Sequence, residues 1–242
     1  MPSGKATDLI WSRPEPGARR PRLSRRQIAE TALAIADAEG FAAVSMRRLA
    51  SELDAGTMTL YHYVRNKDEL VALMDDAHMA EELVPKGEMP EGWREAMGLI
   101  ARRTRASLMR HPWALEALRS AQMGPNALRH FEQSLQALSG TDLDARSKFG
   151  ILAVVDDFVF GNVLRARELV ERRTTPPEVV EAITAYATAE IESGSYPQTQ
   201  ALMHDSEATS GLLDTDGWFE LGLEGLLDGI ARRFGLALSA GD

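Results

Sequence analysis

Residues 49–70, which read LASELDAGTMTLYHYVRNKDEL, decide the fold. A turn at residues 54–56 separates two short helical segments, and Gly56 supplies backbone freedom where a helix must stop. The spacing predicts helices over Met46–Leu53 and Thr57–Val64. Two short helices joined by a tight turn form a helix-turn-helix, and a longer helix is predicted to follow it.

Small polar residues mark where the helices begin. Ser45 precedes the first helix of the pair as an N-cap, and Asn66 is placed to cap the longer helix. Glu69 stands three residues after Asn66, which completes a capping box. Ser24 and Gln27 repeat this spacing ahead of an apolar stripe, so one more helix is predicted before the pair.

The second helix of such a pair can lie in the major groove of DNA while the first crosses the phosphate backbone. Hydroxyl and methyl groups at its N-terminal end reach base edges, whereas tyrosines and cations suit phosphates. The predicted DNA contacts are Ser45, Arg47, Arg48, Thr57, Met58, Thr59, Tyr61, His62, Tyr63 and Lys67. Helical hairpins are also common in other all-α proteins, and two arginines can form a solvated helix face, so spacing alone leaves both interpretations open.

The string TLYHYVRNKDEL, residues 59–70, resembles the DNA-binding domain of the tetracycline-repressor (TetR) family of transcription regulators. The likeness extends from Ser24 to Leu73. It includes LSRRQIAETALAIADAEGFAAVSMRRLASEL, which is similar to the family's first helix, its turn and its second helix. The resemblance implies a sequence-specific DNA-binding regulator in which movement of the helix opened by Asn66 transmits the signal.

Composition excludes several classes of protein. The chain has 242 residues, 44% of them hydrophobic, and no cysteine, which allows a sizeable core and excludes disulfide frameworks and thiolate metal sites. No apolar run approaches the ~20 residues of a membrane span, and the basic N-terminus lacks the apolar segment of a secretory signal. We therefore expect a cytoplasmic protein that does not bind membranes.

Charge is divided unevenly along the chain. Residues 1–67 hold 11 basic and 7 acidic side chains, a net charge of +4, whereas residues 68–242 hold 16 and 29, a net charge of −13. A basic head on an acidic body is typical of a protein that contacts DNA through one end only.

Breaks in the helical pattern divide the chain into parts. Residues 1–23 are predicted to form a basic arm without secondary structure, which either contacts DNA or is a solvated tail. Residues 24–70 form the predicted helix-turn-helix domain, residues 71–84 the linking helix, and residues 91–242 a larger body, in which residues 194–217 are predicted to form an irregular loop. No alternating strand pattern appears, so the predicted fold is all-α with nine or ten helices.

Two apolar helices of the body are the predicted dimer interface. One is predicted to be capped by Asp142 and to reach about Arg172, and the other to span Trp218–Leu236. Two such helices from each of two chains make a four-helix interface, with Gly161 and Gly222 permitting close approach. A homodimer would also supply a second recognition helix for the second half-site of a palindromic operator, since one short helix reads few base pairs. The alternative is that this apolar surface is internal core.

The body resembles, more weakly, the C-terminal domain of the tetracycline repressors, through Trp93, His111-Pro112 and VVDDFVFGNVLRARE at residues 154–168. That resemblance implies a small-molecule cavity walled by the middle helices. The implied lining residues are Ile100, Thr104, Leu118, Phe131, Ser134, Phe149, Leu152 and Asp156. Each of these side chains is also ordinary in a protein core.

Tetracycline repressors hold a magnesium–drug complex through histidines and an acid, and this chain departs from them. It has Leu83, Leu118 and Arg165 at the corresponding positions, which offer no ligand to a hard cation. We therefore expect no metal, no cofactor and an apolar effector with one polar anchor at Asp156. The alternative is that Asp156 is a buried acid satisfied by Arg165 or by a backbone donor.

Known catalytic motifs are missing from the sequence. The five histidines do not form a metal-binding spacing such as H-E-x-x-H, and neither G-x-S-x-G nor a phosphate loop occurs. We predict a ligand-responsive transcription repressor rather than an enzyme. The alternatives are an activator, or a helix-turn-helix scaffold whose body binds a protein partner.

Overall fold

The computed structural model describes residues 9–16, 23–117, 123–172, 174–205 and 214–237. Across these ranges the secondary structure is helical without a strand, which confirms the all-α prediction. Within the described ranges, ten α-helices have seven residues or more, and one has four. In chain order they are α1 (Arg25–Glu39), α2 (Met46–Glu52), α3 (Thr57–Tyr63), α4 (Lys67–Glu82), α5 (Trp93–Arg110), α6 (Ala114–Ala117), α7 (Pro125–Ala137), α8 (Ala145–Arg172), α9 (Pro177–Glu192), α10 (Pro197–His204) and α11 (Thr215–Phe234). None of these helices is both long and apolar enough to cross a membrane.

Three of the predicted N-caps, Ser24, Ser45 and Asn66, are confirmed. The Ser45 hydroxyl accepts a hydrogen bond from the backbone N–H of Arg48 at 3.2 Å, which starts α2. The Asn66 side chain accepts from the backbone N–H of Glu69 at 2.8 Å, which starts α4. Ser24 caps α1 in the same way. Each cap satisfies one of the backbone donors that a helix N-terminus leaves unpaired.

The turn between α2 and α3 differs in detail from the prediction. Asp54, with φ of 46°, adopts the left-handed conformation, whereas Gly56 has an ordinary φ of −72°. Aspartate tolerates this region better than most residues because its short polar side chain can bond locally. The prediction that Gly56 supplies the unusual backbone conformation is therefore wrong.

Helix α4 connects the helix-turn-helix to the body. It packs on α1 and also on α5, α6 and α7. Ten of its sixteen residues are buried, and among them are Asp75, Asp76, His78 and Glu82. The Asp76 carboxylate accepts from the backbone N–H of Asn126 at 2.7 Å and so caps α7 from a different helix.

Part of the predicted structureless arm is folded. Residues 9–16 include a short 3-10 helix, and Ile10 is completely buried. Arg13 pairs with Glu69 at 2.5 Å, and the Arg25 guanidinium donates to the backbone carbonyls of Ile10 and Arg13. This part of the arm is therefore docked on the helix-turn-helix unit and is not a solvated tail.

Helices α8 and α11 pack against each other in the body. Phe158 of α8 stacks on Phe219 of α11, with ring centroids 5.5 Å apart. A Cβ on Gly222 would lie 2.7 Å from the Phe158 ring, so this glycine serves packing inside the protomer. Gly161 has no neighbouring atom within 4 Å of the Cβ position and lies on an open face of α8.

Two further predictions about the body are corrected by the structure. Asp144, not Asp142, caps α8, because its carboxylate accepts from the backbone N–H of Ser147 at 2.8 Å. Helix α10 lies within the stretch predicted to be an irregular loop. It begins at Pro197, a residue that suits the first turn of a helix since it has no N–H to satisfy.

Candidate functional site

Helix α3 has a buried face and an exposed face. Leu60 is completely buried, and Tyr63, three residues later on the same face, is 6% exposed. The exposed face carries Thr57, Met58, Thr59, Tyr61 and His62. Met58 is 72% exposed, which is unusual for a large apolar side chain without a partner surface. The structure thus brings five of the predicted DNA contacts to one surface and places Tyr63 in the core instead.

Arg48 is already engaged in ion pairs beside this surface. Its guanidinium lies 2.7 Å from Glu39 and 2.7 Å from Glu52. The hydrogen bonds that Arg48 donates to Glu39 and then to Glu52 raise the pKa of Arg48 above its usual range. Arg48 can reach a phosphate only by exchanging these carboxylates for it.

The other predicted phosphate contacts are more accessible. Ser45 and Arg47 are exposed at the start of α2, and Arg47 has no ion-pair partner among the described residues. The Lys67 ammonium is exposed and lies 5.3 Å from the ring centroid of Phe41. A cation over an aromatic face is held in place without being neutralised. The exposed face of α3 carries no acid, so it can approach a negatively charged groove.

The predicted cavity-lining residues fall into two groups. Ile100, Thr104, Ser134 and Leu152 are buried where α5, α7 and α8 pack together. Phe149 is 61% exposed and Phe131 is 37% exposed, so neither lines an enclosed cavity of the protomer. Leu118 lies outside the described residues. An open groove of about 740 Å³ lies elsewhere, between the docked arm, α1, α4 and the start of α7.

A buried polar cluster surrounds Glu82, which is 2% exposed at the end of α4. Its carboxylate accepts a hydrogen bond from the Thr104 hydroxyl at 3.0 Å. It also lies 3.1 Å from Nε2 of His78 and 3.4 Å from Nε2 of His130. The backbone carbonyl of His130 in turn accepts from the Ser134 hydroxyl at 2.9 Å. Thr104 and Ser134, both predicted as ligand contacts, therefore border the same cluster.

Sequence reasoning missed Glu82, His78 and His130. One signal was available, because His78 and Glu82 are four residues apart and share the inward face of a helix rich in apolar residues. Titratable groups on a buried helical face need partners, so their spacing indicated an internal polar site.

The protonation of this cluster follows from burial and neighbouring charge. Burial opposes a charge on His78, but hydrogen bonding and attraction to Glu82, together with Asp75, outweigh it and raise the pKa of His78. Burial lowers the pKa of His130. Burial also raises the pKa of Asp75 to about 6, against the attraction of His78. The cluster therefore favours an imidazolium at His78 and a neutral imidazole at His130.

Asp156 on α8 is a second acid near this cluster. Burial, and then repulsion from Glu82 and Asp157, raises the pKa of Asp156 to about 6. The carboxylate has no hydrogen bond or ion pair with another described residue, so neither Arg165 nor a backbone donor satisfies it. The alternative in which such a partner neutralises Asp156 is not seen in this part of the chain.

A hydrogen-bonded junction joins the helix-turn-helix unit to the body. One carboxylate oxygen of Asp37, near the end of α1, lies 2.8 Å from Nδ1 of His111 and accepts from Nε1 of Trp113 at 2.7 Å. The Trp113 ring also stacks on Phe41, with centroids 6.1 Å apart and planes 8° from parallel. The junction therefore links α1 to the corner between α5 and α6.

Two models of known protein families match the chain. Residues 28–74 match the bacterial regulatory proteins of the tetR family, and residues 85–234 match the tetracyclin repressor-like C-terminal domain. The chain belongs to the TetR family. Both resemblances inferred from the sequence are thereby confirmed.

Similar TetR-family proteins include repressors. The chain is 36% identical over 234 residues to the HTH-type transcriptional repressor DrrR1 of Streptomyces coeruleorubidus, covering 93% of this chain and 84% of that protein. It is 26% identical over 178 residues to the class E tetracycline repressor protein of Escherichia coli, covering 71% of this chain and 84% of that repressor.

Solved structures of the TetR family share the fold. Apo ActR from Streptomyces coelicolor superimposes with a TM-score of 0.70 and 30% identity, covering 89% of this chain and 98% of ActR. ActR in complex with actinorhodin gives a TM-score of 0.69 and 30% identity, covering 89% and 100%. The chain is thus a DNA-binding transcription regulator of the TetR family, and α3 lies within the region that matches the tetR family model.

Proposed function

We propose that this TetR-family protein is a transcription repressor that binds a palindromic operator as a homodimer and is released by a small apolar molecule. One helix carries the proposal. Helix α4 starts beside the exposed face of α3 and ends at the buried Glu82 cluster, so it connects the DNA-binding unit to the polar interior of the body. The similarity of this chain to DrrR1, a transcriptional repressor, supports repression rather than activation.

In this proposal residues 24–70 bind DNA, and the roles of their side chains follow from position. Thr57, Met58 and Thr59 at the start of α3 contact base edges. The remaining contacts outside the core, Ser45, Arg47, Arg48, Tyr61, His62 and Lys67, bind phosphates and position the helix. Phosphate contacts supply affinity and base contacts supply sequence preference.

The effector is proposed to bind in the body, residues 91–242, between α5, α7 and α8. Ile100 and Leu152 supply apolar contacts, and Asp156 supplies an acceptor that has no partner in the described protein. An acid without a partner favours a ligand that carries a hydrogen-bond donor. ActR, a similar protein, has been solved in complex with actinorhodin, which supports a small-molecule effector here.

Release from DNA is proposed to be a two-state equilibrium. The effector binds a conformation of the body in which the two recognition helices are spaced wrongly for the operator. Linkage then requires that DNA weakens effector binding by the same factor. Reversing an occupancy of 99:1 requires roughly 5.5 kcal/mol of differential affinity.

The homodimer is proposed to form through exposed faces of α8 and α11. Leu164 of α8 and Leu221 of α11 are large apolar side chains that are 51% and 64% exposed. A groove of about 430 Å³ lies beside Leu164 and is also lined by Gly161 and Arg165. Large exposed apolar side chains around a groove are typical of a surface that another chain covers. A two-fold axis near Gly161 makes this contact self-complementary.

The decisive test of the function is selection of bound fragments from genomic DNA by the purified protein. A palindromic sequence is expected to be enriched, and Thr57→Ala and Thr59→Ala are each expected to change the preferred bases at one position of each half-site. Thr184→Ala in α9 is the matched control and should leave the preference unchanged. Enrichment of no common sequence would contradict the proposal.

Lys67→Ala is expected to weaken binding to all DNA sequences and to reduce the slope of log affinity against log salt by about one. The reason is that Lys67 is an exposed cation beside α3 and releases one counterion equivalent when it binds a phosphate. Titrations by gel shift over a salt series measure the slope.

Lys86→Ala is the control for this prediction, because Lys86 is an exposed lysine in the loop after α4. Equal slopes for wild type and Lys67→Ala would remove Lys67 from the phosphate contacts.

A further inference from the structure

The junction at Asp37 has an unusual arrangement of donors. A single carboxylate oxygen faces two ring nitrogens, Nδ1 of His111 and Nε1 of Trp113, at 2.8 and 2.7 Å. An ionised carboxylate only accepts hydrogen bonds, so Nδ1 of His111 must carry the proton. Hydrogen bonds to a charged acceptor are stronger than neutral ones, which makes this a firm contact between two parts of the chain.

The contact holds the end of α1 that leads into the helix-turn-helix. Asp37 lies in the last turn of α1, and Phe41, in the 3-10 helix that follows, stacks on the same Trp113 ring. Trp113 is therefore held at its N–H by Asp37 and at its face by Phe41. Both contacts come from the segment that directly precedes α2.

The same tryptophan faces the polar cluster in the body. The His78 ring lies edge-on to Trp113 and to His111, with centroids 6.1 and 5.9 Å away. His78 also lies 3.1 Å from Glu82, which accepts from Thr104. A displacement at Glu82 can thus reach Asp37 through two side chains in contact.

We propose that Asp37 is a positioning residue through which the body sets the orientation of the DNA-binding unit. This inference rests on the proposed function, because orientation matters only if the unit reads an operator. An effector bound between α5, α7 and α8, next to Thr104 and Glu82, shifts His78 against Trp113 and strains the two hydrogen bonds to Asp37. The junction then acts beside α4 as a second connection between effector and DNA.

The test measures the distance between the two parts of the chain in the free protein. Because the chain has no cysteine, Ser51→Cys on α2 and Ser139→Cys after α7, both at exposed positions, can carry spin labels. Labelled chains are mixed with an excess of wild-type chain, so that each molecule carries one labelled pair whether it is a monomer or a dimer. Double electron–electron resonance then gives the distribution of the distance.

Asp37→Ala is expected to broaden this distribution, whereas Asp37→Asn, which keeps an accepting oxygen, is expected to leave it narrow. Glu30→Ala is the matched control, because Glu30 is an exposed acid of the same helix that pairs only with Arg26 among the described residues. An unchanged distribution in Asp37→Ala would overturn the proposal. Equal broadening in Asp37→Asn would show that an accepting oxygen at residue 37 does not hold the junction.

A second variant keeps the test decisive if Asp37→Ala does not fold. Trp113→Phe keeps a ring against Phe41 but deletes the N–H donor, and it is expected to broaden the distribution as well. A narrow distribution in folded Trp113→Phe would contradict the proposal.

Operator affinity separates positioning from a purely structural role. If one tenth of Asp37→Ala molecules keep the required orientation, the Kd for the selected operator rises about tenfold, with little change for unrelated DNA. Broadened distances with an unchanged operator Kd would overturn the positioning role. If the wild type selects no operator, the proposed function fails, and the distance measurement still decides whether Asp37 holds the junction.

Discussion

Asp157→Arg is expected to convert the proposed dimer into monomers, weakening association by about 2–4 kcal/mol, or roughly 30- to 1000-fold. Asp157 and Arg165 stand four residues on either side of Gly161, on the exposed face of α8. Neither has a hydrogen bond or an ion pair with another described residue. In the proposed dimer, a two-fold axis near Gly161 would place Asp157 against the partner's Arg165, and symmetry would make this contact twice. The substitution therefore brings like charges together at two places, which sedimentation equilibrium would detect.

The two opposite substitutions provide the control for this prediction. Arg165→Asp alone should dissociate the dimer as strongly as Asp157→Arg, and a mixture of the two variants should form a heterodimer in which both contacts are attractive. Asp142→Arg, an exposed acid before α8, should leave association unchanged. A dimer of unchanged stability in both single variants would place the interface elsewhere.

Asp156→Asn is expected to stabilise the protein at neutral pH by on the order of 1–2 kcal/mol. The folded protein raises the pKa of Asp156 to about 6 from a usual value of 3.8, mainly by burial. Between these two values the folded state binds more protons than the unfolded state, so the free energy of unfolding falls as pH rises through this window and stays lower above it. The difference between these two pKa values corresponds to at most about 3 kcal/mol of unfolding free energy, and partial solvent access reduces it.

Urea unfolding at pH 7.5 and at pH 4 measures this effect. Asparagine cannot ionise, so the gain should be present at pH 7.5 and nearly absent at pH 4. In Asp156→Asn the free energy of unfolding should still fall somewhat as pH rises, because burial also raises the pKa of Asp75. Asp142→Asn at an exposed position is the matched control. A stability at pH 7.5 equal to that of the wild type would mean that Asp156 is not desolvated.

The same variant also tests the proposed effector anchor. If the effector donates a hydrogen bond to Asp156, Asp156→Asn should bind it more weakly while gaining stability. A gain in stability together with a loss of effector binding is expected where a residue is kept for its ligand instead of for the fold.

Local relations explain what could be predicted about the helix-turn-helix. The Ser45 and Asn66 caps bond to backbone groups three residues away, so the sequence carries both partners close together. The alternation of buried Leu60 with exposed Thr59 and Tyr61 follows from helical periodicity alone. The prediction that Tyr63 contacts DNA is wrong. It relies on the chemistry of tyrosine, which suits a phosphate, whereas the position three residues after Leu60 puts Tyr63 on the buried face.

The sequence by itself determined the helical class, the helix-turn-helix and its exposed residues, because these depend on contacts within a few residues and on a specific motif. Only the tertiary structure decided how the body is connected to that unit. Glu82 meets Thr104 across 22 residues, and Asp37 meets Trp113 across 76. Such contacts depend on how helices pack against each other, and no periodicity within one helix specifies which side chain of another helix will face it.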